Sequence, residues 1–151
     1  MSRYIMLDSG VVGLLTHPQP RVVSESVACR AWLRRLLVAN DTVLLPEAVD
    51  YEVRREYLRR GARRALQHLD AIAGEAIYLP LTTPVWRRAA ALWAQARNQG
   101  HITAPPGDLN IDILLAAQAQ LLLTPDQPVI IATTNVRHLA PFADARLWPA
   151  V

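Results

Sequence analysis

A chain of 151 residues, about half of them hydrophobic, has the length for one domain with a sizeable core and is too apolar to be a disordered polymer. Its one cysteine, Cys29, excludes an internal disulfide and a cysteine-based zinc site; no apolar run reaches the roughly 18 residues of a membrane span, and MSRYIMLDSG lacks the apolar core of a signal peptide. A soluble, cytoplasmic protein without membrane contact is expected, with a net charge of only +3.

YIMLD (4–8) reads as a short buried strand ending in Asp8, and SGVVGLL (9–15) as a helix directly after it. HPQPR (17–21) is a loop. Residues 24–40 have helical spacing, with Val27, Ala31, Leu33, Leu36 and Leu37 as expected core and Arg30, Arg34 and Arg35 mostly outward. DTVLLP (41–46) is a second strand, and Pro46 suits the first turn of a helix over 46–60 that stops at Gly61. A further helix covers 62–73 and a third strand 76–81. Thr83 and Pro84 then open a helix to about residue 100, with an apolar stripe of Val85, Ala89, Leu92 and Trp93. After a loop at 101–108 comes a helix from about Leu109 to Leu123, a turn at 125–128, and a continuous β-branched strand, VIIATT (129–134), of the kind buried in parallel sheets. The tail ARLWPAV would add a short edge strand. Strands alternating with helices predict one α/β domain over 1–151, a sandwich around a mainly parallel sheet of four or five strands.

All sixteen basic residues are Arg, and six crowd residues 53 to 64. Arg makes planar, forked contacts with phosphate and carboxylate, so this arm points to an anionic partner, nucleic acid or acidic protein, unless it is simply a solvated helix face.

Parallel α/β sheets carry their sites at the carboxyl ends of the strands. Asp8 lies at that end of the first strand, and Thr133, Thr134 and Asn135 at that end of the fourth. Glu47, Tyr51 and Glu52 lie in the helix after the second strand. Asp112 falls in the first turn of an otherwise apolar helix, where the helix dipole favours its charge, and Asp108 could cap that helix. Asp8, Glu52 and Asp112 thus come from three segments that would face one cleft. Clustered carboxylates repel one another unless a cation intervenes, and hard oxygen donors suit Mg²⁺ or Mn²⁺. Each acid alone has a plain alternative: a turn cap for Asp8, a surface pair for Glu52, a helix-dipole acid for Asp112. The convergence carries the inference.

IMLDSGVV, LLPEAVDYEVRRE, IDILLAAQA and VIIATTNVRHL, in this order and spacing, resemble the PIN-domain ribonucleases, and specifically the VapC-type toxins of bacterial toxin–antitoxin pairs. The resemblance covers nearly the whole chain. It implies a PIN-like α/β/α sandwich, bound Mg²⁺ or Mn²⁺, and hydrolysis of an RNA phosphodiester. It implies Asp8 and Asp112 as metal ligands, and Glu52 as a ligand or an orienter of bound water. Ser9 would hydrogen-bond Asp8, Thr134 or Asn135 would position phosphate or water, and Asp108 would support the acids. Arg54, Arg55 and Arg59 would hold the RNA backbone. A protein antitoxin and a second copy of the chain are the implied partners. This chain departs from the pattern at Gly10, where many relatives carry Asn, and at Asn110 and His138, where relatives carry acids. Those departures favour an alternative: a catalytically weak PIN-like module that binds RNA or protein.

Overall fold

The computed structural model describes residues 2–18, 24–101, 105, 107 and 109–151. Five short strands form one sheet: β1 (Tyr4–Leu7), β2 (Thr42–Pro46), β3 (Ile77–Leu79), β4 (Val129–Thr133) and β5 (Ala145–Leu147). Their order is β3-β2-β1-β4-β5 and every pairing is parallel. Among the described residues six helices cover the sheet in a three-layer α/β/α arrangement: α1 (Ser9–Thr16), α2 (Glu25–Val38), α3 (Glu47–Arg60), α4 (Arg63–Glu75), α5 (Thr83–Asn98) and α6 (Ile111–Leu122). A short 3-10 turn, Trp148–Ala150, ends the chain's regular structure.

The two central strands explain why the sheet is buried on both faces. Ile5, Met6 and Leu7 of β1 and all of β4 are buried, so both read as unbroken apolar runs rather than alternating ones. The chain reverses direction around this core: β1 leads into α1 and β2 into α3, which places β4 beside β1 and the start of both helices at the carboxyl edge. Gly61 closes α3 in the left-handed region (φ 65°), where a side chain would be strained. A second apolar cluster joins α5 and α6 to the start of α3 through Ala48, Val85, Leu92, Ile113 and Leu114.

Two apolar stripes differ from the sequence expectation. In α2 the buried residues are Ser26, Cys29, Trp32 and Leu36, so the helix is turned away from the face carrying Val27, Ala31 and Leu37. The cause is a distant contact: Trp32 packs edge-on against Trp148, ring centroids 5.7 Å apart. In α5 the stripe ends on Ala96, and Trp93 lies at the surface with the Arg97 guanidinium 4.6 Å above its ring. Among the described residues no helix is long and apolar enough to cross a membrane.

Candidate active site

The register of the central pair brings the acids' end together. Leu7 pairs with Ala132, so the next residues along, Asp8 and Thr133, leave the sheet side by side. Asp8 is the N-cap of α1: its Oδ1 accepts the Ser9 backbone N–H at 2.7 Å. Its Oδ2 accepts the hydroxyl of fully buried Thr133 at 2.5 Å. Both carboxylate oxygens are therefore pinned, and the side chain is held in one orientation. Thr133 Oγ1 also accepts the Asn135 backbone N–H at 3.0 Å, which shapes the loop leaving β4.

Asp112 approaches from α6. Its helix begins at Asn110, whose side chain accepts the Ile113 N–H at 3.2 Å as the N-cap. The Asp112 carboxyl is pushed above the usual carboxylate range, chiefly by burial. The negative charge of Asp8 raises it further, His138 counters, and Glu52 adds a smaller upward push. The charges of Asp8, between β1 and α1, and of Glu52, in α3, thus act on Asp112 in α6. Among the described residues no three His, Cys, Asp or Glu side chains are arranged to hold a metal ion as they stand. The donor chemistry nonetheless fits a hard cation. The oxygens are carboxylates, two like charges bear on Asp112 against the single opposing influence of His138, and among the described residues buried Ser9 Oγ has no hydrogen-bond partner.

The remaining expected residues fall out as follows. Ser9 meets Asp8 through its backbone N–H rather than its hydroxyl. Thr133, not Thr134, touches Asp8; a T.N pattern with one intervening residue spans Thr133 and Asn135, and that spacing could have identified it. Thr134 is exposed and turns onto Gly10. The Asn135 side chain accepts the Arg137 backbone N–H at 3.1 Å and so serves its own loop. The cap on α6 expected from Asp108 comes from Asn110, and Asp108 itself lies outside the described residues. Arg54 is engaged by two carboxylates, Asp50 at 3.0 Å and Asp70 at 2.9 Å. Tyr78 donates to the same Asp50 at 2.7 Å, tying α3 to β3 and α4. Arg59 pairs with Glu56, and Arg55 lies over the Tyr51 ring at 5.0 Å.

Two clefts border α3. One of about 720 Å³ runs between α1, α3 and α4; Glu52 lines it together with apolar Val53, Tyr57, Ala62 and Ala65, and Glu56 and Arg60 supply charge. Of the three acids, Glu52 lines it and Asp8 and Asp112 do not. The other, about 520 Å³, lies between α3, α5 and α6, with half-exposed Tyr51, Trp86 and Leu109 at its mouth.

The family model for the PIN domain matches residues 6–132. No functionally curated protein matches the sequence. Among solved structures, VapBC2 from Rickettsia felis, bound to a DNA fragment from their promoter, superposes with a TM-score of 0.72 at 16% identity, covering 95% of this chain and 97% of that one. DNA-bound VapBC from Salmonella typhimurium gives 0.70 at 15% identity, covering 98% and 99%. VapBC-1 from nontypeable Haemophilus influenzae gives 0.64 at 16%, covering 97% and 98%. At such identities the likeness is one of fold.

Proposed function

This chain belongs to the PIN-domain family, and on that premise we propose that it is a metal-dependent endoribonuclease, the toxin of a toxin–antitoxin pair, acting in the cytoplasm. One observation supports the reading: the charges of Asp8, at the carboxyl end of β1, and of Glu52, in α3, bear on half-buried Asp112 at the start of α6, whose carboxyl is raised by burial and by those charges. Asp8, Asp112 and Glu52 would hold Mg²⁺ or Mn²⁺, with Glu52 either as a ligand or orienting a bound water. When bound, the ion supplies an acidified water and neutralises charge on the phosphoryl oxygens.

The chain's own residues prepare that site. Thr133 and the Ser9 N–H fix the Asp8 carboxylate, so no rotamer is lost when it engages. Asn110 anchors the helix that carries Asp112. Arg55 and Arg59 are exposed and suited to phosphates, whereas Arg54 is committed to the scaffold by its two carboxylates. An antitoxin partner is favoured by the apolar cleft that opens beside Glu52, and a homodimer by the exposed aromatic groups Tyr51, Trp86 and Trp93. A second reading, a catalytically weak module that binds RNA or protein, is favoured by Asn110, whose side chain is spent on a helix cap.

Purified, antitoxin-free protein incubated with cellular RNA in Mn²⁺ and in EDTA, beside Asp112→Asn, tests this. Discrete cleavage that needs the ion and disappears in the variant supports the nuclease. Folded protein that binds RNA, with affinity falling as salt rises, yet cuts nothing under either metal supports the module.

A further inference from the structure

Gly10 stands two residues after Asp8, in the first turn of α1, and its missing side chain leaves room that Thr134 takes up. A Cβ built on Gly10 would lie 2.2 Å from Thr134 Oγ1, 3.0 Å from Thr134 Cγ2 and 3.2 Å from Thr134 Cβ. By contrast, a Cβ on Gly13, Gly74 or Gly107 meets nothing within 4 Å. Both branches of Thr134 therefore occupy the space that a side chain at position 10 would fill. Thr133, immediately before it, is buried and bonded to Asp8, whereas Thr134 is exposed. The Thr134 hydroxyl consequently rests on the α1 backbone next to the carboxylate that Thr133 holds.

We propose that Gly10 is a positioning residue that lets Thr134 lay its hydroxyl across the start of α1, where it donates a hydrogen bond to a non-bridging phosphate oxygen of the RNA. What the hydroxyl touches rests on the nuclease reading; its dependence on Gly10 does not. A β-branched side chain has few χ1 choices. Any Cβ at position 10 displaces Oγ1 and Cγ2 together and turns the hydroxyl away.

The test is a cycle of Gly10→Ala, Thr134→Val and the double variant, with Thr134→Ser as the conservative control. Affinity for a short fluorescent single-stranded RNA is measured in Ca²⁺ in place of Mn²⁺, and the Thr134 χ1 angle is read from three-bond NMR couplings to its methyl carbon. Thr134→Val, which keeps the shape and loses the hydroxyl, should bind about tenfold more weakly, the scale of one charge-assisted hydrogen bond. Gly10→Ala should match it and change χ1, the double variant should be no weaker than either single, and Thr134→Ser should keep most of the affinity. In Mn²⁺ the loss should fall on KM rather than kcat. If Gly10→Ala does not fold, recovery of folding in Gly10→Ala/Thr134→Ala reports the coupling, and the Val and Ser variants report the hydroxyl. Wild-type affinity in Thr134→Val, fully additive losses in the double variant, or an unchanged χ1 in Gly10→Ala overturns the proposal. Wild-type protein that binds this RNA in Ca²⁺ and cuts nothing in Mn²⁺ sinks the nuclease instead, and the affinity cycle still decides the role of Thr134.

Discussion

At the amino end of the sheet, Asp41 accepts the Arg3 backbone N–H at 3.1 Å and two guanidinium N–H groups at 3.2 and 2.6 Å. At the carboxyl end, Asp112 is as much a part of the folded chain, yet its nearest charges include two more carboxylates, Asp8 and Glu52. The Arg3 hydrogen bond holds Asp41 below the ordinary carboxylate range, while burial and like charge lift Asp112 above it. Asp50 belongs with Asp41: Arg54 and Tyr78 bond it from two sides, and desolvation with that bond raises the Tyr78 hydroxyl out of reach of ordinary titration. Carboxylates that hold the fold arrive with their donors. Asp112 instead faces the like charges of Asp8 and Glu52, a costly arrangement in the folded chain that a cation or a reacting group would complete.

The largest effect expected from breaking this contrast is at Asp112. Asp112→Asn should lower RNA cleavage by at least about 100-fold, the lower range for loss of a group acting directly in the chemistry. The same variant should unfold in EDTA at a temperature no lower than wild type. The sign follows from linkage: a carboxyl raised by folding binds its proton more tightly in the native state, so stability falls as pH rises from the unfolded-state value through the folded one. Asn removes that penalty. A variant that loses both activity and stability would show Asp112 to be a structural acid like Asp50. Next in size is Arg54→Ala, which leaves buried Asp50 with Tyr78 alone. It should destabilise by about 2 kcal/mol in urea unfolding, with little change in the salt dependence of RNA binding. Arg59→Ala should do the reverse. Then comes Asn110→Ala, worth about 1 kcal/mol as a lost helix cap, with KM for RNA unaffected.

The layer order was legible because it depends on local signals. Apolar runs ending in Asp8 or Thr133 mark strand ends, and alternation with helices forces a parallel sheet. What was not legible depends on contacts between distant residues. The face of α2 is chosen by Trp148, far along the chain from Trp32, and helical periodicity cannot see it. The choice between Thr133 and Thr134 turns on which hydroxyl points at Asp8 from the neighbouring strand, a matter of register. Arg54 looked like its neighbours Arg55 and Arg59 in an Arg-rich run. Its buried i,i+4 partner Asp50 and the approach of α4, which carries Asp70, separate a scaffold arginine from two exposed ones. Gly10 looked like a missing side chain until Thr134 was seen to fill its place.

The smallest expected effect is at the amino end, and pH sharpens it. Asp41 is nearly buried, but Arg3 is about a third exposed, so water screens the pair and Asp41→Asn should cost about 1 kcal/mol or less at neutral pH. A carboxyl lowered by folding gives stability that is fully present above its unfolded value, near about 3.9 for Asp, and that is lost as pH falls through the folded one. The gap between wild type and Asp41→Asn in urea unfolding should therefore close as pH drops below about 4, because protonated Asp41 no longer draws on the Arg3 charge. The penalty at Asp112 disappears over the adjoining higher interval, as pH falls from its raised folded value to about 3.9. Measured in EDTA across both intervals, Asp112→Asn should lose its advantage over wild type first, and the wild type minus Asp41→Asn difference should shrink below that. If both differences stayed constant with pH, neither carboxylate would owe its stability effect to charge, and the contrast between the two ends of the sheet would reduce to packing.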